Sequence, residues 1–346
     1  MFRDVIYQNI PKRERTLYHG LTADWLVAIT QSIQRSDEYA AVIANHYLNA
    51  GSKLYASDWY YKAGLRSKKQ VAMRDGRAYM QQAMQLLPED QLAKRWLVLL
   101  EIDEITGILG DIQARSRADQ QLLELANQLG DDNKIARARY RQAFFFNSQG
   151  DYQSELAAHE QALAAARRAN NRQIEAMTAG LKVVCLTLLG DMHAARESAQ
   201  LAEQYARELG DEVTLAKVLG NVFTYYQVED ISRAVQVIEE SIEILDRLDQ
   251  YNLKAMSMIN LGYIYTQSGL FQRGVETFQR SLEIAETIEN PRLVAYNQLN
   301  MGLAYYRLGD HESAFENLEK ARSGLEEIHD TFAGATCKTY LLSLIH

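Results

Sequence analysis

The sequence predicts an all-α fold built from stacked helical hairpins. Only three of the 346 residues are proline, and helix-favouring residues such as Ala, Leu, Glu and Arg are plentiful. Boundary marks, most of them Gly-Asp, recur every 39 or 40 residues at Gly110, Gly150, Gly190, Glu229, Gly269 and Gly309. A second set lies half a period away, so each period holds two helices of about 17 residues. This pattern predicts a helical-hairpin solenoid, a right-handed superhelix of about 16 helices.

The first 90 residues do not keep this period. We expect residues 1–36 to form an N-terminal cap over the apolar face of the first repeat. Residues 37–90 are predicted to form irregular hairpin helices, because Gly51, Ala56 and Tyr60 keep the small and aromatic residues of a repeat.

Residues 91–330 are predicted to form six repeats of about 40 residues. A small residue five positions after the inner boundary, such as Ala195 or Ala314, lets the paired helices approach closely. Arg115 and Glu155 occupy that position in the first two repeats, so we expect those two hairpins to splay.

Residues 331–346 are predicted to form a terminal helix without a partner in a hairpin. Its exposed side is expected to carry Tyr340, Leu341 and Leu344. An apolar patch of this kind predicts weak self-association through the C-terminal helix.

Composition and charge argue against several functional classes. The formal charge is −8, and residues 1–69 carry an excess of four positive charges while the remainder is acidic. Without a basic stripe to contact phosphates, nucleic-acid binding is not expected. No apolar run is long enough to span a bilayer. The two cysteines cannot form a disulfide framework, which favours a cytoplasmic protein.

The repeats resemble the tetratricopeptide repeat. That motif places Leu-Gly, Tyr, Gly, Ala and Phe at set spacings over 34 residues. Here the period is 40, which is similar to the long repeats of kinesin light chains and of bacterial peptide-sensing regulators. The matching residues in one repeat are Leu261, Gly262, Tyr265, Gly269, Gly274, Phe278 and Ser281.

The N-terminal segment resembles the end of the winged-helix segment that precedes such repeats in bacterial signalling ATPases of the STAND/AAA type. The resemblance rests on Phe2, Arg3, Tyr7, Ile10, Pro11, Arg15, Leu17, His19, Trp25 and Leu26. It implies that residues 1–36 are a winged-helix remnant and that the chain is a C-terminal sensor tail. The partner would then be an upstream ATPase domain of the same polypeptide. The simple N-terminal cap stays open as the alternative.

Nothing in the sequence predicts an active site. It contains neither a phosphate-binding loop nor a His-Glu-x-x-His motif, and the histidines are scattered, with His311 and His329 near turns. Cys185 and Cys337 lie in apolar stretches and are interpreted as packing residues. We therefore predict no enzyme activity, no cofactor and no metal site.

The candidate site lies on the first helix of each hairpin, which lines the concave side of such solenoids. In long-repeat tetratricopeptide proteins, an Asn two residues before the motif Gly often holds a peptide backbone. The resemblance carries this role to Asn260, Asn300 and, allowing for a one-residue deletion, Asn221. An Asn that is solvated or caps a neighbour is the alternative. The other predicted wall residues are Tyr263, Thr266, Gln267, Tyr306 and Arg307.

The sequence therefore predicts a non-catalytic module that binds a protein or peptide, and the resemblance makes it the regulatory tail of a signalling ATPase. Two alternatives remain. One is a free-standing scaffold or chaperone adaptor, and the other is a small-molecule sensor that uses the concave groove.

Overall fold

A computed structural model describes residues 7, 9–70, 72–109, 111–328 and 330–345. Within these ranges all regular secondary structure is helical, with seventeen α-helices and one 3-10 helix. The predicted features at Phe2, Arg3, Gly110 and His329 lie outside the described residues. The predicted all-α solenoid of helical hairpins is confirmed. By contacts the chain divides into two compact units, residues 1–131 and residues 132–346.

In the first unit each α-helix packs on the next along the chain. Ile43, Trp59, Met80 and Ile105 are buried between these helices and form the core of the unit. The helices are α1 (Lys12–Ser32), a 3-10 helix (Ser36–Tyr39), α2 (Ala40–Asn49), α3 (Lys53–Lys69), α4 (Met73–Leu86), α5 (Leu92–Ile108) and α6 (Ile112–Leu129).

The second unit contains five hairpins followed by a single helix. The first helices of the hairpins are α7 (Asp132–Ser148), α9 (Arg172–Leu189), α11 (Glu212–Glu229), α13 (Tyr251–Gln267) and α15 (Pro291–Leu308). Their second helices are α8 (Tyr152–Arg168), α10 (Met192–Leu209), α12 (Ile231–Arg247), α14 (Phe271–Thr287) and α16 (His311–Glu327). The last element, α17 (Thr331–Ile345), occupies the place of a sixth first helix. Each helix packs on the next, and α9 also packs on α11.

The Gly-Asp marks end one helix and begin another. Gly190 has a φ of 79°, in the left-handed region that glycine adopts at low cost. Asp191 then accepts a hydrogen bond from the Ala194 backbone N–H at 3.0 Å, which satisfies a donor in the first turn of α10. Asp310 does the same for Ser313 at 3.1 Å at the start of α16. The repeat period in the sequence is therefore a period of helix boundaries.

The Leu-Gly position of the motif is a close contact between paired helices. A Cβ on Gly262 in α13 would lie 2.5 Å from the Phe278 ring of α14. Real Cβ contacts do not reach this distance, so only glycine fits while the ring keeps its place. Phe278 is fully buried as a result and fills the hairpin interior.

Glu155, expected to splay its hairpin, is accommodated without doing so. Its carboxylate is buried and accepts a hydrogen bond from Asn147 Nδ2 at 3.0 Å, and His159 Nε2 lies 3.2 Å from it. These partners lower the cost of burying the carboxylate. Helices α7 and α8 pack as extensively as the other hairpins, so the expected opening of this hairpin is wrong. Arg115 lies 3.4 Å from the buried Asp103.

The expected apolar patch on the C-terminal helix needs a correction. Leu341 is only 6% exposed and packs with Leu318 and Leu325 of α16. Tyr340 and Leu344 are half-buried against the same cluster. Among the side chains of α17 that the structure describes, the exposed large apolar residue is the next one in sequence, Leu342. One residue turns a side chain by about 100° around a helix, so Leu341 faces the packed side and Leu342 does not.

Candidate functional site

The predicted site residues all lie on α11, α13 and α15. We call the side chains that the first helices of the second unit present outside their hairpins the first-helix face. Tyr263, Gln267 and Arg307 are exposed on it. They are therefore available to a ligand.

The three asparagines are half-buried. Asn260 Nδ2 donates a hydrogen bond to the Gly220 carbonyl oxygen of the preceding first helix at 3.3 Å. Asn221 is placed in the same manner, because a Cβ on Gly180 would lie 3.6 Å from its Nδ2. Asn300 makes no hydrogen bond with a residue that the structure describes. The amides of Asn221 and Asn260 thus reach between neighbouring first helices.

Thr266 and Tyr306 contact other helices of the protein. The Thr266 methyl faces Gly274 of α14, inside the hairpin. The Tyr306 hydroxyl is 3.0 Å from Ser343 Oγ, and its ring meets the Tyr340 ring edge-on at 5.3 Å between centroids. These two side chains therefore pack against other helices, and they contribute less to the exposed first-helix face than the sequence predicted.

Two exposed apolar residues on this face were not predicted from the sequence. Leu188 of α9 and Val228 of α11 are exposed, and they precede Gln267 and Arg307 by whole repeats. The four therefore occupy one row across successive first helices. Met256, also exposed, lies two helical turns before Tyr263 on α13. Aligning the repeats by their 40-residue spacing would have found this row.

Charge is divided between the two sets of helices. The first helices, α7 to α17, carry eleven basic and four acidic residues, an excess of seven positive charges. The second helices, α8 to α16, carry ten basic and seventeen acidic residues, an excess of seven negative charges. The net charge of a longer sequence segment hides this division, because the positive charge of each first helix cancels the negative charge of the second helix beside it. The first helices thus carry a net positive charge within an acidic protein.

Some of these cations form no ion pair with any residue in the part of the chain that the structure describes. Arg137, Lys217 and Arg307 are exposed, and none forms an ion pair with a described residue. By contrast, Lys182 lies 3.3 Å from Glu160 of a second helix. The three unpaired cations are free to meet an anionic ligand.

A cleft of about 550 Å³ lies on a different surface, between α12, α13 and α14. Its floor contains the nearly buried Met258, Leu261 and Tyr265. Arg273 stacks over the Tyr265 ring, with its guanidinium carbon 4.6 Å from the ring centroid. Because second helices form its walls, this cleft is not the groove that the sequence predicted.

The cysteines lie in packed surroundings. Cys185 donates its thiol hydrogen to the Tyr152 carbonyl oxygen at 3.2 Å, and burial raises the pKa of the thiol to about 12. Burial likewise raises the pKa of Cys337 to about 11. Both thiols therefore stay protonated near neutral pH, which makes them poor nucleophiles.

No three His, Cys, Asp or Glu side chains are grouped so as to hold a metal ion in the part of the chain that the structure describes. None of the described helices is long and apolar enough to cross a membrane.

Comparison with known proteins identifies the repeats. Residues 253–327, which span α13 to α16, match the family model described as tetratricopeptide repeat. The predicted tetratricopeptide repeats are thus confirmed for this region. No curated protein matches the sequence.

Several solved structures are similar in fold. A STAND protein with a tetratricopeptide repeat sensor, from Pyrococcus horikoshii, is 17% identical with a TM-score of 0.57. The match covers 82% of this chain and 42% of that protein, so the chain spans less than half of its length. The apo form of RapI is 10% identical with a TM-score of 0.65, over 79% of this chain and 98% of RapI.

The Rap conjugation regulator of plasmid pLS20, solved with the Phr* peptide, is 14% identical with a TM-score of 0.64. That match covers 83% of this chain and 77% of the regulator. At these identities the likenesses show the fold alone.

Proposed function

We propose that this chain, which carries tetratricopeptide repeats at residues 253–327, is a non-catalytic module that binds a protein or peptide segment on its first-helix face. The observation that carries the proposal is the row of exposed residues repeated on successive first helices, Leu188, Val228, Gln267 and Arg307. A surface with the period of the repeats suits a ligand that is itself extended and repetitive, as a peptide is. The peptide complex of the similar Rap regulator supports this reading.

The chemistry of the face indicates an acidic ligand with apolar side chains. Lys217 and Arg307 supply positive charge that no described residue neutralises, while Met256 and Tyr263 supply apolar contact area. Electrostatic complementarity of this kind sets specificity and speeds association. We therefore expect a peptide that combines Asp or Glu with aliphatic or aromatic residues.

The spacing of the asparagines sets the register in which we propose that the peptide binds. Asn221, Asn260 and Asn300 are one repeat apart, so adjacent amides should be separated by about 10 Å, the usual helix-packing distance. An extended peptide rises about 3.3 Å per residue, so each amide would meet roughly every third residue. Tyr263, Gln267 and Arg307 would contact side chains between these points. Thr266 and Tyr306 would stabilise the first-helix face by packing against other helices.

The test is selection from a library of random peptides followed by calorimetric titration of the strongest binder. We expect selected peptides to be rich in Asp and Glu, and binding to weaken with added salt. The double variant Lys217→Glu/Arg307→Glu should bind roughly tenfold or more weakly, because two favourable charge contacts become repulsive. Arg280→Glu on a second helix is the matched control and should bind normally. Selection of basic peptides, or equal binding by all variants, would contradict the proposal.

Asparagine variants separate binding from stability. Asn300→Ala should weaken peptide binding about fivefold while leaving the free energy of unfolding nearly unchanged, since it loses no internal hydrogen bond to a described residue. Asn260→Ala should also lower the free energy of unfolding by about 1 kcal/mol, because it loses the bond to Gly220. If both variants bind the selected peptide normally, the amides have only a structural role.

The wider role that we propose is that of the sensor tail of a cytoplasmic signalling ATPase. It is supported by the fold likeness to the Pyrococcus horikoshii STAND protein and by the two buried free cysteines. Reading the coding sequence upstream of Met1 tests it, because an in-frame phosphate-binding loop is expected there. A stop codon directly upstream would favour the free-standing scaffold. Self-association through α17 also stays a proposal, carried by the exposed Leu342.

A further inference from the structure

Two histidines from neighbouring helices meet through the same ring nitrogen. His19 of α1 and His46 of α2 are half-buried, and their Nδ1 atoms lie 3.0 Å apart. On its other side, His19 Nε2 lies 2.7 Å from the Tyr7 hydroxyl. The three side chains therefore form one chain of hydrogen bonds at the contact between α1 and α2. We call the two imidazoles the His19–His46 pair.

The short distance between the two Nδ1 atoms requires one of them to donate a hydrogen and the other to accept it. A neutral imidazole has one N–H and one acceptor nitrogen, so either ring can be the donor. In both arrangements the Tyr7 hydroxyl completes the bond to His19 Nε2, since a hydroxyl can donate or accept. The neutral pair thus keeps both hydrogen bonds whichever ring donates.

A first proton fits this geometry, but a second does not. If one ring becomes an imidazolium, its Nδ1–H donates to the neutral Nδ1 of the other ring, and the hydrogen bond becomes charge-assisted. If both rings are imidazolium, two Nδ1–H groups face each other and neither can accept. The two like charges also repel each other. A second proton therefore requires the rings to separate.

The surroundings supply no counter-ion for that second proton, because no described carboxylate forms an ion pair with either ring. The acidic residues on α1 and on the elements packed against α1 and α2 are Glu14, Asp24, Asp37, Glu38 and Asp58. Glu14 and Asp24 lie five residues from His19, about 140° around the helix. The two in the 3-10 helix precede α2, whereas His46 lies in its last turn. Asp58 forms an ion pair with Lys94 at 2.7 Å.

The nearby basic residues oppose a further positive charge. Lys12 and Arg15 lie seven and four residues before His19, so they share its side of α1. Arg15 stacks over the Tyr7 ring, with its guanidinium carbon 5.1 Å from the ring centroid. Lys53 begins α3, just after the end of α2. The C-terminal end of α2 favours one positive charge at His46, which the first proton already supplies.

The partial burial of His46 acts in the same direction as these cations. Burial, and then the charge of His19, lower the pKa of the His46 imidazole from its usual 6.5. Because the unfolded chain then binds more protons than the folded chain, stability is lost as pH falls from about 6.5 through the folded value. Neutral pH preserves the contact, and acid weakens it.

We propose that the His19–His46 pair is a proton-binding site that holds one proton, and that a second proton releases the first two turns of α1 from α2. The rest of α1 stays in place through the buried Ala23 and Thr30. Tyr7 loses its place against His19 in the same step. The contact between α1 and α2 is thus a switch that opens below about pH 6.

Histidine carbon-13 NMR of the whole chain tests the shared proton. The signals of His19 and His46 should each shift in two steps more than about one pH unit apart, because the two rings titrate as one system. In His46→Asn, whose amide oxygen can still accept from His19 Nδ1, His19 should titrate in a single step. Independent single steps for the two rings of the wild-type chain overturn the proposal.

Hydrogen exchange of the backbone amides of residues 16–20, corrected for its intrinsic pH dependence, tests the release of α1. Between about pH 7.5 and about pH 5, wild-type protection should fall roughly tenfold or more, while protection of residues 27–32 changes little. In His46→Asn the protection of residues 16–20 should not change with pH. His193→Asn removes an exposed histidine from α10 and should keep the wild-type response. Constant protection in the wild type, or an equal loss in His46→Asn, overturns the proposal.

Discussion

Gly262 shows how a single residue sets the distance between the helices of a hairpin. Its missing side chain leaves the space into which the Phe278 ring packs. The motif pairs a glycine on the first helix with a large residue on the second. Each depends on the other, because the large side chain fills the space that the missing Cβ leaves. The same logic places Leu318 against Gly302 in the next hairpin.

Gly262→Ala should therefore lower the free energy of unfolding by about 1–3 kcal/mol, the usual cost of forcing extra volume into a packed core. Gly180→Ala is the matched control, because its Cβ would meet its nearest neighbours at an ordinary 3.6 Å. Removing glycine from a helix interior favours the fold by up to about 1 kcal/mol, so this control should be neutral or stabilising. Urea unfolding of both variants gives the comparison. Equal effects would contradict the role assigned to Gly262.

The residue scale is also where sequence reasoning was weakest. Spacing along the chain indicates that Leu341 and Leu342 lie on α17, but the packing of α17 on α16 decides which of them is buried. Thr266 was similarly placed on the open wall, although its methyl fills the space at Gly274. Rotation about a helix axis depends on neighbours that are distant in sequence. For this reason the repeat period was predictable and these side-chain orientations were not.

At the scale of elements, the helix boundaries followed directly from local sequence. Asp310 caps α16 by accepting hydrogen bonds from Ser313, which lower the pKa of its carboxyl from the usual 3.8. Caps depend only on residues within one turn, so Gly-Asp marked them reliably. The division of charge between first and second helices became visible only when each helix could be assigned to its set.

The Asp310 cap predicts a pH dependence. Because the pKa is lower in the folded state, the carboxylate contributes its full stability above the unfolded value of 3.8, and the contribution is lost as pH falls through the folded value. Asp310→Asn keeps a capping oxygen without the charge. The advantage of the wild type over this variant should shrink as pH falls from about 5 to about 3 in urea unfolding. An advantage that is constant over this range would show that the charge contributes nothing.

At the scale of the whole molecule, each of the two units has a hydrophobic core of its own. The core of residues 132–346 contains residues from α8 to α13, including Val183, Val222, Ile238 and Ile264. In repeat proteins, stability comes from each repeat and its contacts with adjacent repeats. A unit with its own core should therefore fold by itself.

We expect a fragment of residues 132–346 to be helical and to unfold cooperatively on heating, as followed by circular dichroism. A fragment of residues 152–346, which lacks α7 and so leaves α8 unpaired, should have a lower melting temperature than the first fragment. If the first fragment has no cooperative transition, the second unit depends on residues outside it.

The hydrogen bond from Asn260 to the Gly220 carbonyl has a mechanical consequence. A ligand that captures the Asn260 amide must first release it from the neighbouring helix. Binding of the ligand to Asn260 would then break this hydrogen bond between α11 and α13. Ligand binding would thereby change the spacing between these two helices. If the proposed site is correct, the amide that binds the ligand would also signal its arrival through this change in helix spacing.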